Sequence, residues 1–164
     1  MQKSLTTRPI ALSAANPKPV ERLQLHAKTI ADRKVVLVVP NVESDESVEQ
    51  FADLTRRCLP TANLSPISWP TFLKNLPTLD ADIIFITSMR GAPDDFGALR
   101  EGLKAFRGRN HKAVVAMANA HMESITVRSL QSANLIDHVE HQAIFSLSFL
   151  AEGVELFTRR QELR

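Results

Sequence analysis

Short apolar runs, each followed by a segment with helical periodicity, constrain the fold of this chain more than any other feature. The first run, Lys34–Val39, is continuously aliphatic after its lysine and ends at Pro40. Such a run is typical of a strand that is buried on both faces of a sheet. Apolar residues at helical spacing follow between Val48 and Cys58, with Ser47 as the predicted cap, so a helix follows the strand.

The same strand and helix pattern repeats down the chain. Pro66 places the second run at an edge of the sheet, because proline cannot donate to a strand ladder. The predicted strands are Lys34–Val39, Leu64–Ser68, Asp82–Thr87, Ala113–Ala118 and a short fifth strand beginning at Ala133–Ile136. Five alternating units predict an α/β domain with three layers and a doubly wound, five-stranded parallel sheet.

The helices between these strands have recognisable ends. Asp94 and Asp95 open one helix, and Gly108 is predicted to end it in a left-handed turn. An earlier helix starts at Pro19 and extends to Ile30, and we expect it to pack on the domain. The other predicted helices run from Pro70 to Leu76, from Ser124 to Ser132 and from Ser146 to Arg160.

Charge divides the chain into two parts. The formal net charge of the chain is +2. Residues 1–34 contribute +5, from seven basic and two acidic side chains, and residues 35–164 contribute −3. We therefore predict a basic N-terminal arm and helix over 1–33 and an α/β domain over 34–164. The arm is either a contact for an acidic partner, such as a nucleic acid, or a solvated linker.

The compartment follows from cysteine usage and from apolar run lengths. The single cysteine, Cys58, cannot form an internal disulfide, and its place on an apolar helix face predicts a buried, inert thiol. No secretory signal and no run of membrane-spanning length is present in the sequence. We expect a cytoplasmic protein that does not contact a membrane.

The carboxyl ends of parallel strands are where ligands bind in such sheets. The residues predicted there are poor in reactive groups, and no glycine pattern suits a phosphate or dinucleotide. An enzyme or ligand-binding protein with a crevice at this edge would rely on the polar groups of Asn41, Thr87, Ser88 and Asn119.

A cluster of potential metal ligands spans Asp137 to His141, and His121 lies elsewhere in the sequence. On a strand, His138 and His141 would face opposite sides of the sheet, because they are three positions apart. They could then not both ligate one ion unless the strand ends between them. We therefore predict no metal site and no cofactor.

The order of these elements, from Lys34 to Arg160, resembles the receiver domain of bacterial response regulators. Thr87 stands where the family has its phosphoaccepting aspartate, and Met89 and Gly91 resemble the residues that follow it. The run Ser132–Asn134 resembles the Gly-Ala-Asp before the family's fifth strand, and Phe145 to Phe157 resembles its final helix. The resemblance implies a flavodoxin-like sheet with strand order 2-1-3-4-5.

The departures from the family bear on function. The positions of the Mg²⁺-binding acidic pair hold Pro40 and Asn41, and the switch Ser or Thr is replaced by Ala118. The phosphate-binding lysine would fall at Val139 or Ala143. Without carboxylates the ion is not charge-compensated, and a threonine cannot form an acyl phosphate. The resemblance therefore implies a pseudo-receiver, which is not an enzyme and acts by contact.

Many receivers pair through the helix after the fourth strand, the fifth strand and the final helix. By resemblance, a face for a protein partner or for self-association would here include Arg128, Gln131, His138, His141 and Phe149. The alternative is that these residues face solvent and bind nothing. A crevice enzyme and a nucleic-acid adaptor that uses the basic arm are the other two hypotheses.

Overall fold

The fold is a single sheet flanked by helices. The computed structural model describes residues 18–39, 45–87, 95–118, 124–140 and 146–163. The strands are β1 (Lys34–Val39), β2 (Asn63–Ser68), β3 (Ile83–Ile86), β4 (Val114–Ala118) and β5 (His138–Glu140). The helices are α1 (Pro19–Leu25), α2 (Asp45–Cys58), α3 (Trp69–Asn75), α4 (Asp95–Arg109), α5 (Ser124–Ser132) and α6 (Leu147–Glu162), with a 3₁₀ turn at Leu76–Thr78.

All five strands are parallel and lie in the order β2-β1-β3-β4-β5. The predicted three-layer α/β fold, with this strand order, is confirmed. β2 lies at one edge of the sheet. This position fits Pro66, because proline lacks the N–H that a second neighbouring strand would need. On its paired side, Pro66 is in register with Leu37 of β1. β5 lies at the other edge and pairs with β4 from Ala116 to Ala118.

The alternation of side chains along the strands builds two apolar cores, one on each face of the sheet. Val35, Leu37 and Val39 point into the core that α2 and α6 cover. Val36 and Val38 point into the core that α3, α4 and α5 cover. Because both faces are covered, β3 and β4 are buried throughout, and β1 is buried from Val35 onwards.

The N-terminal helix is shorter than the periodicity predicts. α1 ends at Leu25, and turns lead from it to β1. Leu23 and Ile30 are nonetheless buried in the same core as α6, while Val20 is exposed. The helix therefore packs on the domain, as expected.

Arg22 holds α1 to α6 through charge. Its Nε donates to Glu155 Oε2 at 2.8 Å, and its Nη2 donates to Glu155 Oε1 at 2.6 Å and to Glu152 Oε2 at 2.7 Å. The hydrogen bond to Glu155 and, to a smaller extent, that to Glu152 raise the pKa of Arg22 above its ordinary value. The bond from Arg22 lowers the pKa of Glu155 in turn, so the pair is charged at neutral pH.

Two further predicted helix ends are wrong. α2 begins at Asp45, two residues before the predicted cap Ser47. Gly108 is helical, because α4 continues to Arg109, and among the described glycines none has a positive φ. The basic residues of the last turn fit the negative end of the α4 dipole, so no glycine turn is needed.

The fifth strand begins at His138 and not at Ala133. Asn134 has a φ of 60°, and its N–H donates to Gln131 O at 2.9 Å. The N–H of Leu135 donates to Leu130 O at 2.9 Å, which completes a Schellman motif at the end of α5. The residues predicted to begin the strand therefore close the preceding helix, and both leucines are buried.

Where α6 crosses β3, the two elements touch closely. A Cβ added to Gly153 would lie 2.5 Å from Cε1 of Phe85. Glycine at this position therefore lets the helix approach the central strand. Among the described residues, no helix is long and apolar enough to cross a membrane.

Candidate functional site

Thr87 follows β3 at the carboxyl edge of the sheet, and it is the residue that the resemblance assigns to the receiver phosphoacceptor. Its side chain is buried. Both its Oγ1, at 2.8 Å, and its N–H, at 3.1 Å, donate to the carbonyl oxygen of Val38. The hydroxyl proton is thus used within the protein, where it joins the ends of β1 and β3.

The other residues that the resemblance assigns to receiver positions, where the structure describes them, are apolar. Ala118, the expected switch residue, ends β4 and is 1% exposed, so its methyl group is buried. Val139 is half-buried and packs against the core under α4 and α5. The remaining candidates lie outside the described residues: Pro40, Asn41, Ser88, Asn119, Ala143 and the pair Met89 and Gly91.

The predicted partner face is built from α5, β5 and α6. Arg128 is exposed on α5, and Gln131 is half-buried on the same helix. His138 lies on the edge strand, and its Nε2 is 3.0 Å from Glu140 Oε1. His141 lies outside the described residues. Arg128, Gln131 and His138 are therefore accessible to different degrees on neighbouring elements.

Phe149 is not available on that face. It is fully buried, and its ring centroid lies 5.5 Å from that of Phe85 and 6.2 Å from that of His138. Phe149 falls in the first turn of α6, on the side that packs on the sheet. Its inclusion in the partner face is therefore wrong, because a helical residue facing the core cannot also face a partner.

An ionic cluster at the amino edge of the sheet went unrecognised in the sequence. Asp137, directly before β5, accepts hydrogen bonds from Nη2 of Arg107 on α4 and from Nη2 of Arg160 on α6. The remaining Nη1 of each arginine donates to the carbonyl of Ala113. We call these three charged side chains the arginine clasp; it joins helices from opposite faces of the sheet.

The backbone completes the arginine clasp. The N–H of Val115 donates to Asp137 Oδ2 at 2.8 Å, and the N–H of Asp137 donates to Val115 O at 2.8 Å. Burial alone would raise the pKa of Asp137, but the bond from Arg160 and the charge of Arg107 outweigh it and lower that pKa. Asp137 therefore stays ionised, and it binds these arginines where the sequence suggested a possible metal ligand.

No group of three or more His, Cys, Asp or Glu side chains that could hold a metal ion occurs within the described parts of the chain. Cys58 is half-buried beside the core, and burial raises the pKa of its thiol. A thiol with a raised pKa is a poor nucleophile at neutral pH.

Three basic residues of the N-terminal part are already engaged inside the domain. Arg22 binds Glu152 and Glu155, as described above. Lys34 Nζ lies 2.9 Å from Asp80 Oδ2, and the Arg33 guanidinium lies 5.4 Å from the centre of the Phe157 ring. The charge of residues 1–34 is therefore partly compensated by the fold.

Comparison with known proteins finds similarity in structure only. No family model matches the chain, and no curated protein matches it significantly. A CheY-like response regulator receiver domain protein from Methanospirillum hungatei has a TM-score of 0.55 at 12% identity, over 80% of this chain and 98% of that one.

Two further solved structures are similar to this chain. An adenylate cyclase from Rhodopirellula baltica has a TM-score of 0.53 at 13% identity, over 80% of this chain and 96% of that one. The pilus assembly protein CpaE from Caulobacter crescentus has a TM-score of 0.51 at 8% identity, over 76% and 92%. Together with the strand order, these similarities establish that the chain has the fold of a receiver-like domain.

Proposed function

We propose that this chain is a pseudo-receiver: a domain that keeps the receiver fold, does not accept a phosphoryl group, and acts in the cytoplasm by binding a protein. Thr87 carries the proposal. An aspartate can form an acyl phosphate, whereas a buried threonine whose hydroxyl donates to Val38 O offers neither the acid nor a free nucleophile.

The apolar switch position supports the same conclusion. A receiver signals phosphorylation through a hydroxyl that can bind the new phosphoryl oxygens, and the Ala118 methyl group has no such hydrogen bond to offer. A function that depends on contact needs no such switch. The accessible residues on α5 and β5, Arg128, Gln131 and His138, are then the proposed contact surface.

Among the described residues, no specific contact supports either rival function. A crevice enzyme would use Thr87, but its hydroxyl is engaged by the backbone. A nucleic-acid adaptor would use the N-terminal charges, but Arg22, Arg33 and Lys34 are engaged within the domain.

The first experiment tests phosphorylation. The full chain is incubated with acetyl phosphate and Mg²⁺ and weighed intact by mass spectrometry, beside a receiver domain that has its aspartate. We expect the mass of this chain to stay unchanged while that of the control receiver rises. A stable added phosphate that is absent from the Thr87→Val variant would contradict the proposal.

The second experiment tests contact through the proposed face. The full chain is used as bait in a lysate of its source organism, beside an Arg128→Glu, Gln131→Glu variant and a Lys104→Glu control on α4. We expect one captured protein to be lost with the face variant and kept with the control. Equal capture by all three proteins would place the contact elsewhere.

A further inference from the structure

The amino edge of the sheet carries a concentration of positive charge near the starts of β4 and β5. We call this surface the basic edge. It consists of Arg107, Arg109, His111, Lys112, Arg159 and Arg160.

The topology brings these residues together. In a doubly wound sheet the helices run opposite to the strands, so α4 and α6 both end at the amino edge. Both helices carry arginines in their last turns. Lys112, in the loop after α4, reaches the end of α6, where its Nζ donates to Leu163 O at 3.3 Å. The two helix ends are therefore neighbours.

Most of this charge has no carboxylate partner in the described part of the chain. Arg109 donates to Pro77 O at 2.6 Å and Arg159 to Glu155 O at 3.5 Å, both backbone carbonyls. Lys112 likewise binds a carbonyl. In the arginine clasp, one carboxylate faces two guanidinium groups.

The balance at this edge is positive. Five arginine and lysine side chains stand against the carboxylates of Asp137 and Glu162, which leaves a net charge of +3 with histidine neutral. Favourable contact with a helix dipole is worth only about 0.3–1 kcal/mol per charge. The dipoles explain why bases occur at these helix ends, but they leave the excess charge exposed to solvent.

The loop that presents the charge is held by hydrogen bonds. The N–H of Asn110 donates to Phe106 O at 2.9 Å, and its side-chain amide donates to the same oxygen at 3.0 Å. The N–H of Ala113 donates back to Asn110 O at 3.2 Å. Binding would therefore cost little ordering of the loop backbone.

We propose that the basic edge binds an acidic segment of the protein partner, which rests on the proposed function as a contact module. Arginine presents paired N–H donors that match the two oxygens of a carboxylate. Single-stranded nucleic acids are usually held by exposed aromatic rings as well as by charge. Among the described side chains no Phe or Trp is exposed, and the basic edge has only the imidazole of His111, which favours carboxylates over bases.

The test measures the fluorescence anisotropy of a labelled glutamate-rich peptide titrated with the full chain. Two variants change the net charge equally: Arg109→Glu with Lys112→Glu at the basic edge, and Lys28→Glu with Lys104→Glu at exposed positions elsewhere. We expect the edge variant to bind the peptide about tenfold more weakly, because two attractive charges are replaced by two repulsive ones. The control variant should bind the peptide about twofold more weakly.

Equal weakening by both variants, or no binding by the unaltered chain, would overturn the proposal. Tighter binding of a single-stranded DNA of equal charge would assign the edge to nucleic acid and would overturn it as well. A neutral Arg109→Gln, Lys112→Gln variant serves as a second check. If its melting curve is unchanged and it binds the peptide more weakly, the weaker binding comes from lost charge and not from a lost fold. Because the phosphorylation test does not involve this edge, failure here would leave the absence of phosphoryl transfer standing.

Discussion

The two edges of the sheet differ in how they use polar groups. At the carboxyl edge, Thr87 gives its hydroxyl to the backbone and Ala118 contributes a methyl group. At the amino edge, Arg107, Asp137 and Arg160 form a charged cluster. In a receiver the carboxyl edge holds the acids that do the chemistry, whereas the charged cluster described in this chain lies at the opposite edge.

Among the described residues, the ends of β3 and β4 at the carboxyl edge, Thr87 and Ala118, carry no charge. The central strands are held there by apolar burial and by main-chain hydrogen bonds. At the amino edge the arginine clasp joins α4, α6 and the residue before β5, three segments that share no strand ladder. In the described residues, charge therefore has a structural role where these segments meet.

The largest expected effect comes from removing the carboxylate of the arginine clasp. Asp137→Asn leaves two guanidinium groups facing an amide, and breaking a buried ion pair costs about 3–5 kcal/mol. Urea unfolding should show a loss of about 3 kcal/mol. As the matched control, Asp80→Asn breaks the exposed pair with Lys34, and a loss as large as that of Asp137→Asn would contradict the comparison.

The same cluster should show in the pH dependence of stability. The pKa of Asp137 is lowered on folding, so its stabilisation is present above the unfolded value of about 3.9 and is lost as pH falls towards the folded value. The difference in unfolding free energy between the unaltered chain and Asp137→Asn should therefore shrink below about pH 4. A difference that stays constant down to pH 2 would argue against an ionised Asp137.

A packing change between the two edges should have an intermediate effect. In Gly153→Ala the new methyl group would lie 2.5 Å from the Phe85 ring, and overpacking costs about 1–3 kcal/mol. Gly108→Ala is the control, because nothing lies within 4 Å of its added Cβ and helical alanine is favoured by about 0.5–1 kcal/mol. Thermal melting should lower the Tm of the first variant and raise that of the second.

The smallest effect is expected at the carboxyl edge. Thr87→Val keeps the shape of the side chain and removes one buried hydroxyl, while Val38 O still accepts the N–H of residue 87 at 3.1 Å. The loss in unfolding free energy should be about 1 kcal/mol. A loss equal to that of Asp137→Asn would show that both edges depend equally on polar groups.

Much of the fold was predictable because burial leaves a local pattern. The aliphatic runs of β1, β3 and β4, the edge role of Pro66 and the start of the last helix near Ser146 follow from sequence. The fifth strand was misplaced because Ala133–Ile136 looks apolar and extended, whereas Asn134 takes a left-handed turn. A Schellman motif depends on the φ angle of one residue, and the spacing of apolar residues in the sequence does not indicate that angle.

The site was less predictable. The position of Thr87 could be predicted from its place after a buried strand. The hydrogen bond from its hydroxyl to the carbonyl of Val38, 49 residues earlier, could not. Phe149 was assigned to a surface because resemblance gives the element and not the side that faces the core. Asp137 directly precedes His138 in sequence, and only the structure shows that its carboxylate binds two arginines.

The sequence by itself determined where the buried aliphatic strands lie and how strands and helices alternate. Through the resemblance it also implied that the receiver acids are replaced at Pro40, Asn41 and Thr87, and the switch hydroxyl at Ala118. These properties are local, since they depend on residue type and spacing. Tertiary structure decided which charges meet. Asp137 lies 30 residues from Arg107 and 23 from Arg160, and a pairing over that separation is set by how the helices end against the sheet, which no local pattern encodes.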